Sequence, residues 1–273
     1  MHLEFVKRTN HFGIHLGKIG PYYINTHFLY GSEQDAVDLL KFIDEEKVDK
    51  TAFPKKIFEK TLNHYNDNDI YKDVIDEMIE FIKNNIDINK IDYISGGERR
   101  DWFFSNIIAN KLEKPHITIY KDLSIVINDY TFENEINKSN INGANVLHIA
   151  DLITEASSYL RAWIPAINSL GGNILWSTVV VDRMQGGCEK LENENIKSLS
   201  IIQIDENLFK HAYDKDIINE NQFEMLNNFY KNPDETMRNF LIAHPEFLEN
   251  ALKSDKKTAA RAKLCIDNNL YNI

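Results

Sequence analysis

Apolar positions recur along this chain with two different periods, and the change from one to the other divides it. Before about residue 90 the spacing is helical. Ala36, Leu39, Leu40 and Ile43 follow the Gly31-Ser32 turn, and Tyr71, Val74, Ile75, Met78, Ile79 and Ile82 recur in the same three-four steps. Each set predicts a helix with one buried face. From Ile91 the apolar runs become short, continuous and rich in β-branched residues. Tyr93-Ile94 and residues 116–122, 146–151, 174–181 and 198–204 read as strands, with helical stretches at 102–112 and after Ser158. Residues 124–130 read as a further strand and 131–144 as a polar connection. From Asp205 onward only helical patterns remain, and Asn232-Pro233-Asp234-Glu235, His244-Pro245-Glu246 and Ser254-Asp255 each look like a helix start.

Strands alternating with helices imply a mostly parallel sheet with right-handed crossovers. The expected fold is therefore α/β, a mostly parallel sheet flanked by helices, with an N-terminal hood and a C-terminal helical extension. The corresponding division is 1–90 for the hood and its helices, 91–204 for the α/β core and 205–273 for the extension.

Composition narrows the class. The chain has 273 residues, 43% of them hydrophobic, enough for a substantial core. No run approaches the ~20 apolar residues of a membrane span, and the first dozen residues lack a secretory apolar core. Two cysteines, Cys188 and Cys265, are too few for a disulfide framework. A cytoplasmic protein, with no membrane partner, is the expectation. The net charge of −11 argues against a nucleic-acid partner, which needs a basic footprint. A local basic cluster can still receive a small anion.

Polar loops at the carboxyl ends of parallel strands are where ligands sit in open α/β sheets. One such loop is SGGERR, 95–100. Gly96 and Gly97 let backbone amides approach an anion, and Arg99 and Arg100 add positive forks. Another follows Asp151, where Thr154, Ser157 and Ser158 supply hydroxyls ahead of a helix. A third contains Asp182-Arg183. Other chemistries lack a motif: there is no His-Glu-x-x-His, no glycine-rich loop ending in Gly-Lys-Ser/Thr, no dinucleotide fingerprint and no nucleophile triad. His148 sits mid-strand and reads as a satisfied core histidine, while His11 and His15 at helical spacing are only a faint metal signal.

VLHIADLITEASS (146–158) resembles the phosphoribosyl-pyrophosphate signature of the type I phosphoribosyltransferases. VVVDRMQGG (179–187) and GKIGPYYIN (17–25) are similar to the strand-and-turn and the N-terminal segment of the orotate members. The resemblance implies a transferase that joins a nitrogen base, orotate or a related pyrimidine, to phosphoribosyl pyrophosphate with Mg²⁺, releases pyrophosphate, and forms a homodimer. It implies that Arg99 and Lys121 hold the pyrophosphate, with Gly96, Gly97 and Arg100 in the same loop. Asp151 would hold the ribose hydroxyls and help place the metal. Thr154, Glu155, Ser157 and Ser158 would line the 5′-phosphate loop, and Arg183, Tyr22 and Tyr23 the base.

The departures carry consequences. Ala150 replaces the family's first acid, and an unpaired buried hydroxyl costs on the order of 1–3 kcal/mol. Glu155-Ala156 stands where the family has Thr-Gly or Ala-Gly. A carboxylate about 5 Å from a phosphate costs on the order of 3 kcal/mol at an effective dielectric near 20, unless Glu155 points outward. His15 stands at a family lysine. Residues 123–128, LSIVIN, read as a strand where the family has a mobile glycine-hinged loop, and Lys138 lies downstream without the hinge. These leave two alternatives, a ligand-binding or regulatory protein that kept the fold, and an enzyme using a different ribosyl donor.

Overall fold

A computed structural model of the chain describes residues 13–15, 18–22, 24–137 and 140–272. The chain divides into two compact units, Thr26–Gln203 and, separately, the residues before Thr26 with Ile204–Ile273. The N-terminal hairpin, β1 (Gly13–His15) and β2 (Lys18–Gly20), belongs to the latter.

The larger unit opens with three helices, α1 (Glu33–Glu46), α2 (Phe53–Asp67) and α3 (Asp69–Asn85). Side-chain caps start α1 and α3: the Asp35 amide donates to Ser32 Oγ at 3.1 Å and the Tyr71 amide to Asn68 Oδ1 at 3.0 Å. The α/β alternation follows as β3 (Tyr93–Gly97), α4 (Ser105–Lys111), β4 (His116–Ile119), β5 (Ile125–Asn128), β6 (Asn145–Ile153), α5 (Ile164–Ser169), β7 (Asn173–Asp182), α6 (Gly187–Asn193) and β8 (Lys197–Gln203). The sheet order is β5-β4-β3-β6-β7-β8, parallel except for the edge strand β5, which runs antiparallel to β4. Within the 123–128 stretch, Ile125–Asn128 form a strand, while Leu123 and Ser124 belong to the turn before it.

The sequence division at residue 90 is not where the structure divides. The Tyr71 hydroxyl donates to the Phe103 carbonyl, the Phe53 and Trp102 rings lie 5.0 Å apart, and Thr61 Oγ1 donates to Asn106 Oδ1 at 3.2 Å. Helices α1–α3 thereby pack their apolar stripes onto α4 and the 100–103 segment, and α4 in turn lies against one face of the sheet. On the other face Tyr93, Ile117, Val146, Trp163, Ile167 and Val179 form a continuous core. Central strands covered on both sides carry the near-continuous apolar runs seen in the sequence.

The smaller unit adds α7 (Glu206–Asp214), α8 (Glu220–Lys231), α9 (Pro233–Ala243), α10 (Glu246–Leu252) and α11 (Lys256–Asp267). The three helix starts legible in sequence are those of α9, α10 and α11. Asn232 caps α9 by accepting from the Glu235 amide at 3.3 Å, and Asp255 accepts from the Thr258 amide at 3.1 Å. Among the described residues no helix is long and apolar enough to cross a membrane.

Candidate active site at the β3–β6 switch point

Chain order reverses between β3 and β6. From β3 the chain adds β4 on one side and then returns to place β6 on the other. The crevice beyond their carboxyl ends is the position where open α/β sheets bind ligands. The 95–100 segment, read from the sequence as a loop, starts inside β3: Ser95, Gly96 and Gly97 pair with β4, and only residues 98–100 leave the strand there, while Asp151 lies near the end of β6.

Both glycines of the first loop are demanded by packing. A Cβ on Gly96 would stand 2.1 Å from Ser105 Oγ, and one on Gly97 would stand 2.3 Å from the Trp163 ring. The loop contains a cis peptide between Glu98 and Arg99. It does not open an α-helix directly, contrary to the sequence reading. A short 3₁₀ turn, Arg100–Phe103, comes first, and α4 begins at Ser105. The reason is Asp101, whose carboxylate turns back to accept from the Gly97 amide at 3.0 Å while Trp102 donates to the Gly96 carbonyl at 3.0 Å.

Each cation expected at the pyrophosphate position has an internal acid. Arg99 pairs with Asp44, and Arg100 lies 3.9 Å from Asp151 Oδ2. Glu98 is half-buried and accepts from Lys47 Nζ at 2.8 Å and from the Lys121 amide at 3.0 Å, with the exposed Lys121 Nζ 4.0 Å away.

Asp151 is buried. Its Oδ2 accepts from Thr26 Oγ1 at 2.7 Å, and its amide donates to Asp101 Oδ1 at 3.2 Å. Burial and the neighbouring Asp101 charge push its carboxyl above the ordinary aspartate range, while Arg100 and the Thr26 bond pull the other way. Beneath it His148 accepts from or donates to Ser95 Oγ through Nδ1 at 2.9 Å. Its Nε2 lies 3.5 Å from Asp101 Oδ2 without a well-formed hydrogen bond, so this core histidine is satisfied on one side only. The His148 ring stacks near Trp163 and meets Tyr159 edge-on.

The following loop resolves the orientation that mattered most. Glu155 is exposed and faces Lys190 at 3.7 Å, outward. Ala156 takes φ 54°, a left-handed conformation that glycine adopts without strain. Thr154 and Ser157 are half-buried and Ser158 is exposed. The chain then enters a π-helical turn, Tyr159–Trp163, before α5. Such turns recur at functional sites.

Asp182 does not form a surface pair with Arg183. Its oxygens accept from the Met184 amide at 2.7 Å and the Cys188 thiol at 2.9 Å. Burial and Asp182 push that thiol up to about 12. The Arg183 amide donates to the Ile153 carbonyl at 3.0 Å, tying the third loop to the second. Tyr22 is buried within the smaller unit, its ring 6.2 Å from Phe209 and 5.9 Å from Phe229, edge-on to both. Tyr23, Lys138 and His11 lie outside the described residues, as does the side chain of His15.

Sequence reasoning missed Asp101, Thr26, Glu98, Lys47 and Asp44. An acid placed between two arginines and an aromatic run was the available signal for Asp101. Thr26 offered none. Among the described residues no three His, Cys, Asp or Glu side chains converge on a common metal position. Asp151 offers one carboxylate, which suits a Mg²⁺ that takes most of its ligands from phosphates and water.

The mostly parallel six-stranded sheet flanked by helices is an α/β architecture of the type I phosphoribosyltransferase fold. A UMP synthase structure from Leishmania donovani superposes with a TM-score of 0.51 at 16% identity, over 84% of this chain and 39% of that one. This chain therefore spans well under half the length of that protein. In sequence the chain is orotate phosphoribosyltransferase-like. Orotate phosphoribosyltransferases of Sulfolobus acidocaldarius and Sulfurisphaera tokodaii are 26% and 28% identical over 165 and 159 residues. Those alignments cover 60% and 58% of this chain and 78% and 74% of the relatives. No family model matches the chain.

Proposed function

We propose that this protein is a phosphoribosyltransferase that joins a nitrogen base, orotate or a related pyrimidine, to phosphoribosyl pyrophosphate. The observation that carries the reading is the meeting of the 95–100 loop and buried Asp151 at the β3–β6 switch point. A ring nitrogen of the base attacks the anomeric carbon as its bond to the diphosphate oxygen breaks. The diphosphate leaves with that electron pair. Arg99 and Lys121 exchange Asp44 and Glu98 for diphosphate oxygens. Asp151 accepts from the ribose hydroxyls, Thr154, Ser157 and Ser158 donate to the 5′-phosphate, and Arg183 faces the base. Such a reaction needs positioning and charge stabilisation rather than a nucleophilic side chain. Asp151 would help hold Mg²⁺, which would supply positive charge to neutralise the diphosphate.

One observation favours a second reading, a different ribosyl donor. Ala150 is buried and apolar where the resemblance has an acid, and Glu98 already pairs with Lys47 and stands 4.0 Å from Lys121 Nζ. Isothermal titration of phosphoribosyl pyrophosphate with Mg²⁺, beside an Asp151→Ala control, tests the proposal. Micromolar binding lost in the variant supports it and leads to turnover assays with orotate. No binding at millimolar donor overturns it and leaves the second reading.

A further inference from the structure

The pairing of β3 with β6 stops short of the crevice. Its last matched residues are Ser95 and His148, and Gly97 and Asp151 lie beyond them. In a parallel pair those amides would look to the neighbouring strand for acceptors. Here a side chain answers both. Asp101 accepts from the Gly97 amide through Oδ2 at 3.0 Å and from the Asp151 amide through Oδ1 at 3.2 Å. It is 7% exposed, so the two bonds are shielded from water.

We infer that Asp101 is a positioning residue: one buried carboxylate bridges the gap between β3 and β6 and holds the anion loop and the ribose loop at a set separation. The inference rests on the phosphoribosyltransferase reading for its purpose, but its geometry exists without ligand. A rigid bridge matters because Gly97 and Asp151 lie at the carboxyl-end portions of β3 and β6, which carry the groups for the diphosphate and the ribose of one small donor, and displacements of about 1 Å are expensive in catalysis. Below the bridge, His148 is fixed by Ser95 and by the Trp163 and Tyr159 rings, and its Nε2 faces Asp101 Oδ2 at 3.5 Å.

The bridge also places a like charge beside the Asp151 carboxyl. The groups acting on that carboxyl are Asp101 and Arg100 from the 3₁₀ turn and Thr26 from its own turn, with Tyr159 and His148 next in the network. Asp101 raises the proton affinity of Asp151 and Arg100 opposes it.

The test uses the full chain without ligand. Amide exchange should show the Gly97 and Asp151 amides protected to the same degree in the wild type, because one carboxylate holds both. Unequal protection there overturns the bridge and requires no variant. In Asp101→Ala both amides should exchange at least about tenfold faster while Ile94 and Ile149 keep their rates. If Asp101→Ala is folded and either amide stays protected, the inference fails. Asp101→Asn keeps one acceptor oxygen of the two, so one of the two amides should lose its protection while the other keeps it. Wild-type protection of both amides in Asp101→Asn means that Asp101 is only a packing residue. Donor binding by the wild type, measured separately, decides the functional reading, so the two failures are distinct.

Discussion

Thr26 and Asp151, 125 residues apart, meet in a 2.7 Å hydrogen bond from the hydroxyl to the carboxylate. This bond favours the ionised acid in a place where burial and Asp101 favour the neutral one. Removing the hydroxyl in Thr26→Val should push the Asp151 titration higher. It should also weaken donor binding about three- to tenfold at pH 6.5, and less at pH 8, where the carboxyl is ionised in both proteins. Calorimetry at the two pH values checks the difference.

Asp151 should cost the fold stability. Its folded carboxyl binds a proton more tightly than an unfolded aspartate. Its contribution is therefore most favourable at low pH and is lost as pH rises from the ordinary aspartate range through the raised folded value. Asp151→Asn keeps an acceptor for Thr26 and should stabilise the protein by on the order of 1–2 kcal/mol at pH 8, with little gain at pH 4, while abolishing donor binding. Urea unfolding at both pH values reads this out.

Two buried histidines act with the opposite sign. Burial and the nearby Arg100 and Arg99 lower His27 to about 4, and burial with His148 lowers His116 to about 3. Both are neutral in the folded and unfolded chain above about pH 6.5. Below it the unfolded chain takes up protons that the folded one refuses, so stability falls as pH drops from 6.5 toward those values. His27→Gln should reduce that slope by up to about 1.4 kcal/mol per pH unit, measured by unfolding between pH 6.5 and 4.5.

Glu155 points away from the phosphate loop toward Lys190. Glu155→Gln should change donor affinity less than about threefold, since an exposed pair is worth little. A tenfold or larger gain in titration would show that the carboxylate turns inward in solution.

Gly97 lies against the Trp163 ring, at a distance no Cβ tolerates. Gly97→Ala should destabilise by about 2–3 kcal/mol, and the smaller ring in Trp163→Phe should recover part of it. Thermal unfolding of both single variants and the double variant measures the recovery.

The local features of this protein were legible because they are local. The helix starts at Asn232 and Asp255 act within three residues, and the strand runs 116–122, 146–151 and 174–181 carry their burial in their own composition. The polar segments after β3, β6 and β7 were found for the same reason: each begins where an apolar run ends. The order of those motifs along the chain also pointed to the fold.

Tertiary structure decided which side chains those segments aim at one another. The sequence shows Glu155 in a phosphate-loop position, and only the placement of Lys190 turns it outward. It shows Gly96 and Gly97 as an invitation to an anion, and only Ser105 and Trp163 reveal that packing requires them as well. Arg99, Lys121 and Arg100 read as free cations until Asp44, Glu98 and Asp151 are brought against them. The reason is common to all three. Hydrophobic period and capping act over a few residues, whereas charge pairing, close packing and the protonation of Asp151 depend on neighbours tens to more than a hundred positions away, which only the folded sheet brings within reach.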